Sequence, residues 1–207
     1  MDALSMALAK QVGQPLTVEL ARQIHADAQV RAPLALEDWP SHEMTDGTEI
    51  RATRLDDRMA ELHAHRMAYL AERHAGDPVA VQWHRIRELE RQGRYVIFVA
   101  ELDGEVTGSL WLHVTPSLNH GQLTVSDDLL YVVPALRRTL LASALCRHAE
   151  KQLFAAGARA CALQSATGNR AGRLAAFLGY RHTAEVYTKT HWGGDEYADV
   201  PTRHAKG

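Results

Sequence analysis

The chain has 207 residues, of which 46% are hydrophobic and 23% charged, and its formal net charge at pH 7 is −2. This composition is typical of a soluble globular domain with room for an extension. The small net charge gives no electrostatic reason to expect nucleic-acid binding. No run approaches the roughly 18 apolar residues of a membrane span, and the N-terminus is too weakly apolar for a signal peptide. We therefore expect a cytoplasmic protein that does not bind a membrane.

Cysteines and histidines give no pattern of metal ligands. The only two cysteines, Cys146 and Cys161, are far apart in the sequence, and two residues do not make a disulfide framework. We interpret them as small buried residues in a reducing compartment. Four of the histidines lie near one another in the sequence: His63, His65, His74 and His84. Their spacing differs from the common zinc motifs, so we interpret them as helix-surface residues and expect no metal.

Helices are predicted throughout the N-terminal half. Thr17 suits the N-cap of a first helix, and a loop follows over residues 32–47. A second helix is indicated by apolar residues near 3.6-residue spacing, which are Leu55, Met59, Leu62, Met67 and Leu70. It is predicted to end at Gly76-Asp77-Pro78. A third helix is predicted to start at Pro78, since proline is tolerated in a first turn, and to end near Gly93.

Strands dominate the sequence from Tyr95 onward. The segment from Tyr95 to Glu101 is strongly strand-like, and Asp103-Gly104 is a tight hairpin signal. The return strand covers Val106 to Val114, and a longer third strand covers Gln122 to Val133. These features predict three antiparallel strands.

The remaining elements alternate between helix and strand. A helix runs to about Ala155 and is followed by strand Arg159 to Gln164, a short helix from Gly168 to Leu178 and a strand to about His191. The predicted fold class is therefore α/β (α+β), with a mixed, mostly antiparallel sheet and helices on both faces.

The segment from Leu129 to Glu150 is the most informative. It combines an apolar strand, a proline break and an arginine-bearing turn that opens an amphipathic helix. The free N–H groups of a first helical turn and the helix dipole both favour a bound anion. Leu130-Tyr-Val-Val-Pro134, followed by Arg137-Arg-Thr-Leu-Leu-Ala142, resembles the acyl-CoA motif Gln/Arg-x-x-Gly-x-Gly/Ala of the GNAT N-acyltransferases. Leu140 stands where that family has glycine.

Further segments resemble the same family in the same order. The hairpin at Asp103-Gly104 has typical flanks, and residues from Asn169 to Tyr180 are similar to a later family segment. The resemblance covers Tyr95 to His191. It implies a GNAT fold preceded by an extra helical N-terminal segment.

The resemblance also implies a site for acetyl-CoA as co-substrate. Main-chain N–H groups would hold the pyrophosphate, and the strand end would pair with the pantetheine amides. The implied binding residues are Leu130, Tyr131, Val132, Arg137, Arg138, Thr139, Leu140, Leu141, Ala142 and Asn169. Arg137 and Arg138 are expected to add positive charge. Leu140 is expected either to narrow the approach of phosphate or to turn into the core. Asn169 is expected either to cap a helix or to bond pantetheine.

Acyl transfer to an amine needs a base, and two adjacent carboxylates are candidates. Asp127 and Asp128 precede the motif, where many family members place that base. Neighbouring strand residues point to opposite faces, which favours Asp128 because it would share a face with Leu130 and Val132. A bulge in this strand would reverse the choice. Glu101 is a weaker third candidate.

The residue that protonates the leaving thiolate is not evident. The family often places a tyrosine at the position of Ala175, so this chain lacks the usual general acid. Tyr131 and Tyr187 are possible substitutes, although each is more simply a strand aromatic.

These features predict an N-acetyltransferase that transfers acetyl from acetyl-CoA to an amine of a small molecule or protein. The predicted division is a helical extension and loop over residues 1–50, the acyltransferase domain over residues 51–191 and a polar tail over residues 192–207. A homodimer is compatible with the sequence. The alternative is a non-catalytic GNAT-fold protein with a binding or assembly role.

Overall fold

A computed structural model describes residues 8, 10–15, 17–29, 39–73, 80–117, 122–164 and 171–184. Several predictions fall outside these residues and concern the helix end at Gly76-Asp77-Pro78, His74, Asn169, Tyr187 and most of the last strand. The described chain forms one mixed sheet with helices on both faces, which confirms the predicted fold class.

The sheet has six strands in the order β1 to β6 across the described chain. They are β1 His42–Glu43, β2 Glu49–Thr53, β3 Tyr95–Leu102, β4 Glu105–Pro116, β5 Leu123–Val132 and β6 Ala158–Ala162. The described α-helices are α1 Val18–Gln29, α2 Met59–Arg73, α3 Trp83–Arg91, α4 Leu141–Ala155 and α5 Ala171–Phe177. Neighbouring strands are antiparallel except β5 and β6, which are parallel.

The hairpin between β3 and β4 turns at Asp103 and Gly104, as the sequence predicts. Both residues have positive φ, 53° and 83°, which is the backbone of a type I′ turn. This turn matches the right-handed twist of the strands and fixes the register of the central hairpin. β3 and β4 therefore provide the framework on which the rest of the sheet is built.

Alternation along β3 divides the core into two layers. Tyr95, Ile97 and Val99 face one side, where they pack with residues of α2 and α3. Val96, Phe98 and Ala100 face the other side, against α4. Every one of these six side chains is at most 1% exposed. Because both faces are covered, α2 and α4 are held on opposite sides of β5.

The N-terminal half departs from the prediction at two places. β2 was not predicted, and the proposed domain boundary at residue 51 falls inside it. The third helix does not begin at Pro78, because residues 80–82 are not helical and α3 begins at Trp83. The predicted cap of α1 is confirmed, since Thr17 Oγ1 accepts the Leu20 N–H at 3.0 Å.

The interpretation of His65 as a surface residue is wrong. His65 is 6% exposed because it lies one turn after Leu62 on the buried face of α2. Its Nδ1 is 3.0 Å from Ser109 Oγ, and its ring lies 4.8 Å from the Tyr131 ring. Burial lowers the pKa of this imidazole, so His65 is a neutral core residue at pH 7. His63 and His84 are exposed, as expected.

Candidate active site

The sheet opens between β5 and β6 just beyond their last paired residues, Ser126 and Ala162. There the Gln164 main-chain N–H donates to Oδ1 of Asp127 at 2.6 Å. A side-chain oxygen thus replaces the main-chain acceptor that would continue the ladder. From this point β5 continues to Val132 without a described partner on its β6 side. We call this opening, from Asp127 and Gln164 onward, the fork.

A bulge in β5 decides where the two predicted bases point. Trp111 pairs with Leu129 and Leu112 pairs with Asp127, so Asp128 is the extra residue. The Asp128 carboxylate accepts a hydrogen bond from the phenol of Tyr95, on the α2 side of the sheet. The expectation that Asp128 shares a face with Leu130 and Val132 is therefore wrong. Those two residues pack in the layer against α4.

Asp128 is held in place by two donors. Besides the Tyr95 phenol, the Arg66 guanidinium of α2 forms an ion pair with its carboxylate. Arg66 also lies over the Trp111 ring, with its Cζ 5.4 Å from the ring centroid. Burial and then the Asp128 charge raise the pKa of Tyr95 well above its usual value, which keeps this phenol a donor. Asp128 therefore joins α2 to the sheet.

Asp127 is in a different electrostatic position. Burial raises the pKa of its carboxyl group to about 6, although the Gln164 N–H and the charge of Arg73 act in the opposite direction. No cation of the described chain lies within ion-pair distance of it. Oδ1 is fixed by Gln164, while Oδ2 has no hydrogen-bond partner among the described residues. The structure thus holds one oriented carboxylate in the fork, with a pKa of about 6.

The third carboxylate candidate, Glu101, is already engaged in two ion pairs. Glu101 lies at the β3 end of the hairpin and forms ion pairs with Arg51 and Arg58 at 2.5 and 2.7 Å. These contacts make it a residue that fastens the hairpin to β2 and to the start of α2.

Both cysteine thiols lie in the layer on the α4 side of the sheet. They line a small space together with Tyr180, whose hydroxyl donates to Glu150 Oε1 at 2.5 Å. Burial raises the pKa of Cys146 to about 12 and that of Cys161 to about 11. Neither thiol is therefore an activated nucleophile.

The last turns of α2 form one wall of the fork. Glu72 Oε1 accepts a hydrogen bond from Arg137 at 2.5 Å, and Arg137 Nε donates to the Val132 carbonyl at 2.9 Å. The same guanidinium lies 5.3 Å from the centroid of the Tyr131 ring. The Arg137 side chain therefore connects α2, the end of β5 and the following turn. Its expected role as a phosphate ligand would require these contacts to be released.

Sequence reasoning missed the contribution of α2 to this wall. Arg66, Tyr69 and Arg73 are separated by three and four residues, so they share one helix face. Arg73 Cζ lies 5.6 Å from the centroid of the Tyr69 ring. Burial raises the pKa of Asp127, and the charge of Arg73 opposes this effect. Burial and, to a smaller extent, the charge of Asp127 raise the pKa of Tyr69. The spacing is visible in the sequence. The strand against which this face packs is not.

The start of α4 presents main-chain donors that the helix cannot satisfy. Thr139 Oγ1 accepts the Leu141 N–H at 3.2 Å and itself donates to a carbonyl of the preceding turn. The N–H groups of Leu140, Ala142 and Ser143 have no acceptor in the described part of the chain. Three main-chain donors are therefore free to bind an anion at this end of the helix.

Leu140 does not turn into the core, which was one of the two expectations for it. Its side chain is 69% exposed at the N-cap of α4. Arg138, two residues earlier, is exposed and has no partner among the described residues. The turn therefore presents one free cation and one exposed apolar side chain beside the free N–H groups.

The remaining predicted site residues include Tyr131 and Ala175. Tyr131 is 8% exposed and packs against His65 and Arg137, so it is part of the core beneath α2. Ala175 lies in α5 and has no hydroxyl with which to protonate a thiolate. Leu130 and Val132 lie at the end of β5, and Leu141 and Ala142 lie at the start of α4. Their role in binding CoA stays a prediction.

A mixed sheet that opens between two parallel strands, beside the N-terminus of a helix, is the architecture that the resemblance to the GNAT N-acyltransferases implies. The model of the acetyltransferase (GNAT) family matches residues 57–180. The chain belongs to this family. A search of proteins with curated function found no significant match.

Solved structures show the same fold at low sequence identity. An aminoglycoside acetyltransferase from an uncultured soil metagenomic sample, solved with sisomicin, is 14% identical with a TM-score of 0.60, covering 70% of this chain and 97% of its own. The ribosomal-protein-alanine N-acetyltransferase of Brucella melitensis biovar Abortus 2308 is 17% identical with a TM-score of 0.59, covering 71% and 99%. AAC(6')-Iy, solved with a CoA-containing bisubstrate analogue, is 17% identical with a TM-score of 0.58, covering 70% and 98%.

No described helix is long and apolar enough to cross a membrane. No group of three or more histidine, cysteine, aspartate or glutamate side chains in the described ranges could hold a metal ion.

Proposed function

We propose that this protein is an N-acetyltransferase that moves the acetyl group of acetyl-CoA to an amine by direct attack on the thioester. The observation that carries this proposal is the Asp127 carboxylate, oriented by the Gln164 N–H at the fork. Its pKa of about 6 allows it to be ionised at neutral pH and still to accept a proton efficiently.

The residues at the fork fit acetyl-CoA. The free N–H groups of Leu140, Ala142 and Ser143 are suited to the pyrophosphate, and the exposed Arg138 adds a cation beside them. The edge of β5 beyond Asp127 has no partner on its β6 side among the described residues, and it is suited to the amides of pantetheine, which would extend the sheet. When bound in this way, acetyl-CoA supplies the activated acyl group at the fork.

Asp127 is assigned the role of general base in place of Asp128. The acceptor amine enters as an ammonium ion and gives one proton to Oδ2 of Asp127, directly or through a water molecule. The amine nitrogen then attacks the thioester carbonyl carbon, a C–N bond forms, the C–S bond breaks, and the nitrogen gives its second proton to water. Asp128 is unsuited to this role because its carboxylate already accepts from the Arg66 guanidinium and the Tyr95 phenol.

The thiolate leaving group receives its proton from the Asp127 carboxylic acid or from water, because Ala175 offers no acid. An acyl-cysteine intermediate is disfavoured, since burial keeps the thiols of Cys146 and Cys161 protonated. Direct transfer therefore needs one ionisable group in the fork, and Asp127 supplies it.

The second candidate is a non-catalytic member of the family with a binding or assembly role. Two observations favour it. Arg137 is committed to Glu72 and to the Val132 carbonyl, and Leu140 occupies the position of the family glycine. Both would weaken binding of the pyrophosphate without changing the fold.

Acetyl-CoA binding separates the two candidates. Saturation at 100 times the dissociation constant should stabilise the folded chain by about 2.7 kcal/mol, which a thermal shift detects. Acetyl transfer to a panel of amines, followed by release of free CoA thiol, then tests catalysis. The absence of a thermal shift at millimolar acetyl-CoA would refute the enzyme proposal. A thermal shift with acetyl-CoA, but no acetyl transfer above the background rate of thioester hydrolysis, would favour the binding protein.

A further inference from the structure

We propose that Arg137 closes the open edge of β5 in the free protein, so that acyl-CoA must displace this side chain in order to bind. The contact is autoinhibitory, because it occupies the main-chain acceptor that an amide of bound pantetheine would use. This inference rests on the proposed acetyl transfer and adds a form of regulation at the same site.

The Val132 carbonyl faces the fork. Val132 pairs with Gly108 of β4, and the next N–H along β5, that of Val133, donates to the Thr107 carbonyl at 3.0 Å. Successive residues of a strand direct their N–H and C=O groups to opposite edges. Because Val133 donates towards β4, both main-chain groups of Val132 point to the other edge, where β5 has no described partner beyond Asp127. A pantetheine chain that extended the sheet would meet the Val132 carbonyl there.

Arg137 already occupies this carbonyl. Its Nε donates to the Val132 oxygen at 2.9 Å, so the guanidinium lies against the open edge of β5. An added strand lies about 4.8 Å from the strand that it pairs with. A guanidinium hydrogen-bonded to the edge fills that space, and the pantetheine chain cannot lie beside Val132 until the side chain has moved.

Two further contacts hold Arg137 in the closed position. Its guanidinium forms an ion pair with Glu72 Oε1 of α2 at 2.5 Å, and its Cζ lies 5.3 Å from the centroid of the Tyr131 ring. The side chains of Arg137 and Glu72 are 39% and 50% exposed, so water can replace the ion pair when the arginine leaves. The closure is therefore weak enough for a bound ligand to open it.

A closure of this kind lowers the apparent affinity for acyl-CoA. The apparent dissociation constant is the intrinsic constant divided by the fraction of open protein. One hydrogen bond to a main-chain carbonyl and one exposed ion pair favour the closed form by about three- to tenfold. The effect is confined to ligands that carry pantetheine, because the free N–H groups at the start of α4 are not covered by Arg137.

The test compares CoA with 3′-phospho-ADP, the nucleotide half of CoA without pantetheine. Calorimetric titration gives the two dissociation constants, and their ratio is the readout, because a lost positive charge affects both ligands alike. Arg137→Met should shift the ratio in favour of CoA by about three- to tenfold. Glu72→Gln keeps the arginine but removes its ion-pair partner, and it should shift the ratio in the same direction by about twofold.

Arg91→Met is the matched control. Arg91 is exposed and forms an ion pair with Glu88 on α3, so this variant loses the same charge and a similar contact away from the fork. Its ratio should equal that of the wild type. An unchanged ratio in Arg137→Met, or one shifted against CoA, would overturn the closure, and weaker binding of both ligands than in Arg91→Met would identify Arg137 as a phosphate ligand instead.

A crystal structure of the CoA complex gives an independent check. The Arg137 Nε should lie beyond hydrogen-bond distance of the Val132 carbonyl, and an intact contact beside bound pantetheine would overturn the inference. Binding of CoA with an intact contact leaves the proposed acetyl transfer standing. Failure of the wild type and of every variant to bind CoA would overturn the proposed function and this inference with it.

Discussion

The Asp127 carboxylate accepts the main-chain N–H of Gln164 at 2.6 Å, at the point where β5 and β6 diverge. One oxygen of the side chain thus ends the ladder between the strands, and the other remains available in the opening. Asp127 combines a structural contact with a position suited to a base, and suitable substitutions separate the two roles.

Asp127→Asn should lower kcat/KM by about a hundredfold or more, because the amide cannot accept the proton. Affinity for CoA should stay within about twofold, since the asparagine Oδ1 can still accept the Gln164 N–H. Asp127→Ala removes both functions and should weaken CoA binding as well. Steady-state kinetics and CoA titration measure these quantities. Equal loss of CoA affinity in both variants would mean that the carboxylate has a structural role only.

The stability of the protein should depend on pH through Asp127. Its pKa is raised from 3.8 to about 6 in the folded chain, so folding favours the protonated form. This contribution is present below about pH 4 and is lost as pH rises through about 6. Relative to the wild type, Asp127→Asn should therefore be more stable at pH 7.5 than at pH 4.5. Urea unfolding at the two values checks this, and a constant difference would contradict the raised pKa.

Asp128→Asn should reduce stability more than it reduces catalysis. It leaves the Arg66 guanidinium, whose side chain is 16% exposed, without its carboxylate partner. Loss of a partner in a fully buried pair costs about 3–5 kcal/mol, and the partial exposure here reduces the expected cost to about 1–3 kcal/mol. Thermal and urea unfolding measure this effect. A large fall in kcat with unchanged stability would instead support Asp128 as the base.

Arg137 and Arg138 form a matched pair for testing which arginine binds phosphate. Arg138→Gln should weaken CoA binding by about two- to fivefold, with more effect at low salt, because its charge is free at the turn. Arg137→Gln should lower the free energy of unfolding by about 1 kcal/mol through loss of its bonds to Glu72 and Val132. Stronger loss of CoA affinity in Arg137→Gln would show that this guanidinium leaves Glu72 when CoA binds.

Leu140→Gly should raise the affinity for CoA, since it removes a side chain beside the free N–H groups of α4. The Leu140 side chain is 69% exposed, so little core packing is lost. Glycine is also acceptable at an N-cap, and stability should change by less than about 1 kcal/mol. Calorimetric titration with CoA and thermal unfolding measure both effects. Unchanged affinity would mean that the leucine already points away from the phosphates.

Local sequence signals predicted the central sheet. The hairpin at Asp103-Gly104 is specified by two residues that tolerate positive φ, and the strands around it are strongly apolar. β2 was missed because it is only five residues long and carries Glu49 and Arg51. It becomes a strand by pairing with β3, a contact between residues about fifty positions apart in the sequence.

The site was only partly predictable for the same physical reason. The two aspartates and the arginine turn follow one another along the chain, so they were found. The direction of the Asp128 side chain depends on a bulge. No residue between Ser126 and Leu129 is of a type that predicts a bulge. The partner of Asp128 is Arg66, 62 residues earlier, and such a contact exists only after α2 has packed on the sheet.

The free N–H groups of Leu140, Ala142 and Ser143 belong to the backbone and are common to nineteen of the twenty amino acids. Only proline removes such a donor, so this surface survives substitutions that erase a recognisable motif. Nearly every residue around the start of α4 can therefore be substituted while the same three main-chain donors remain. Such a surface is compatible with the low identity, 14–17%, at which the fold is shared with acetyltransferases.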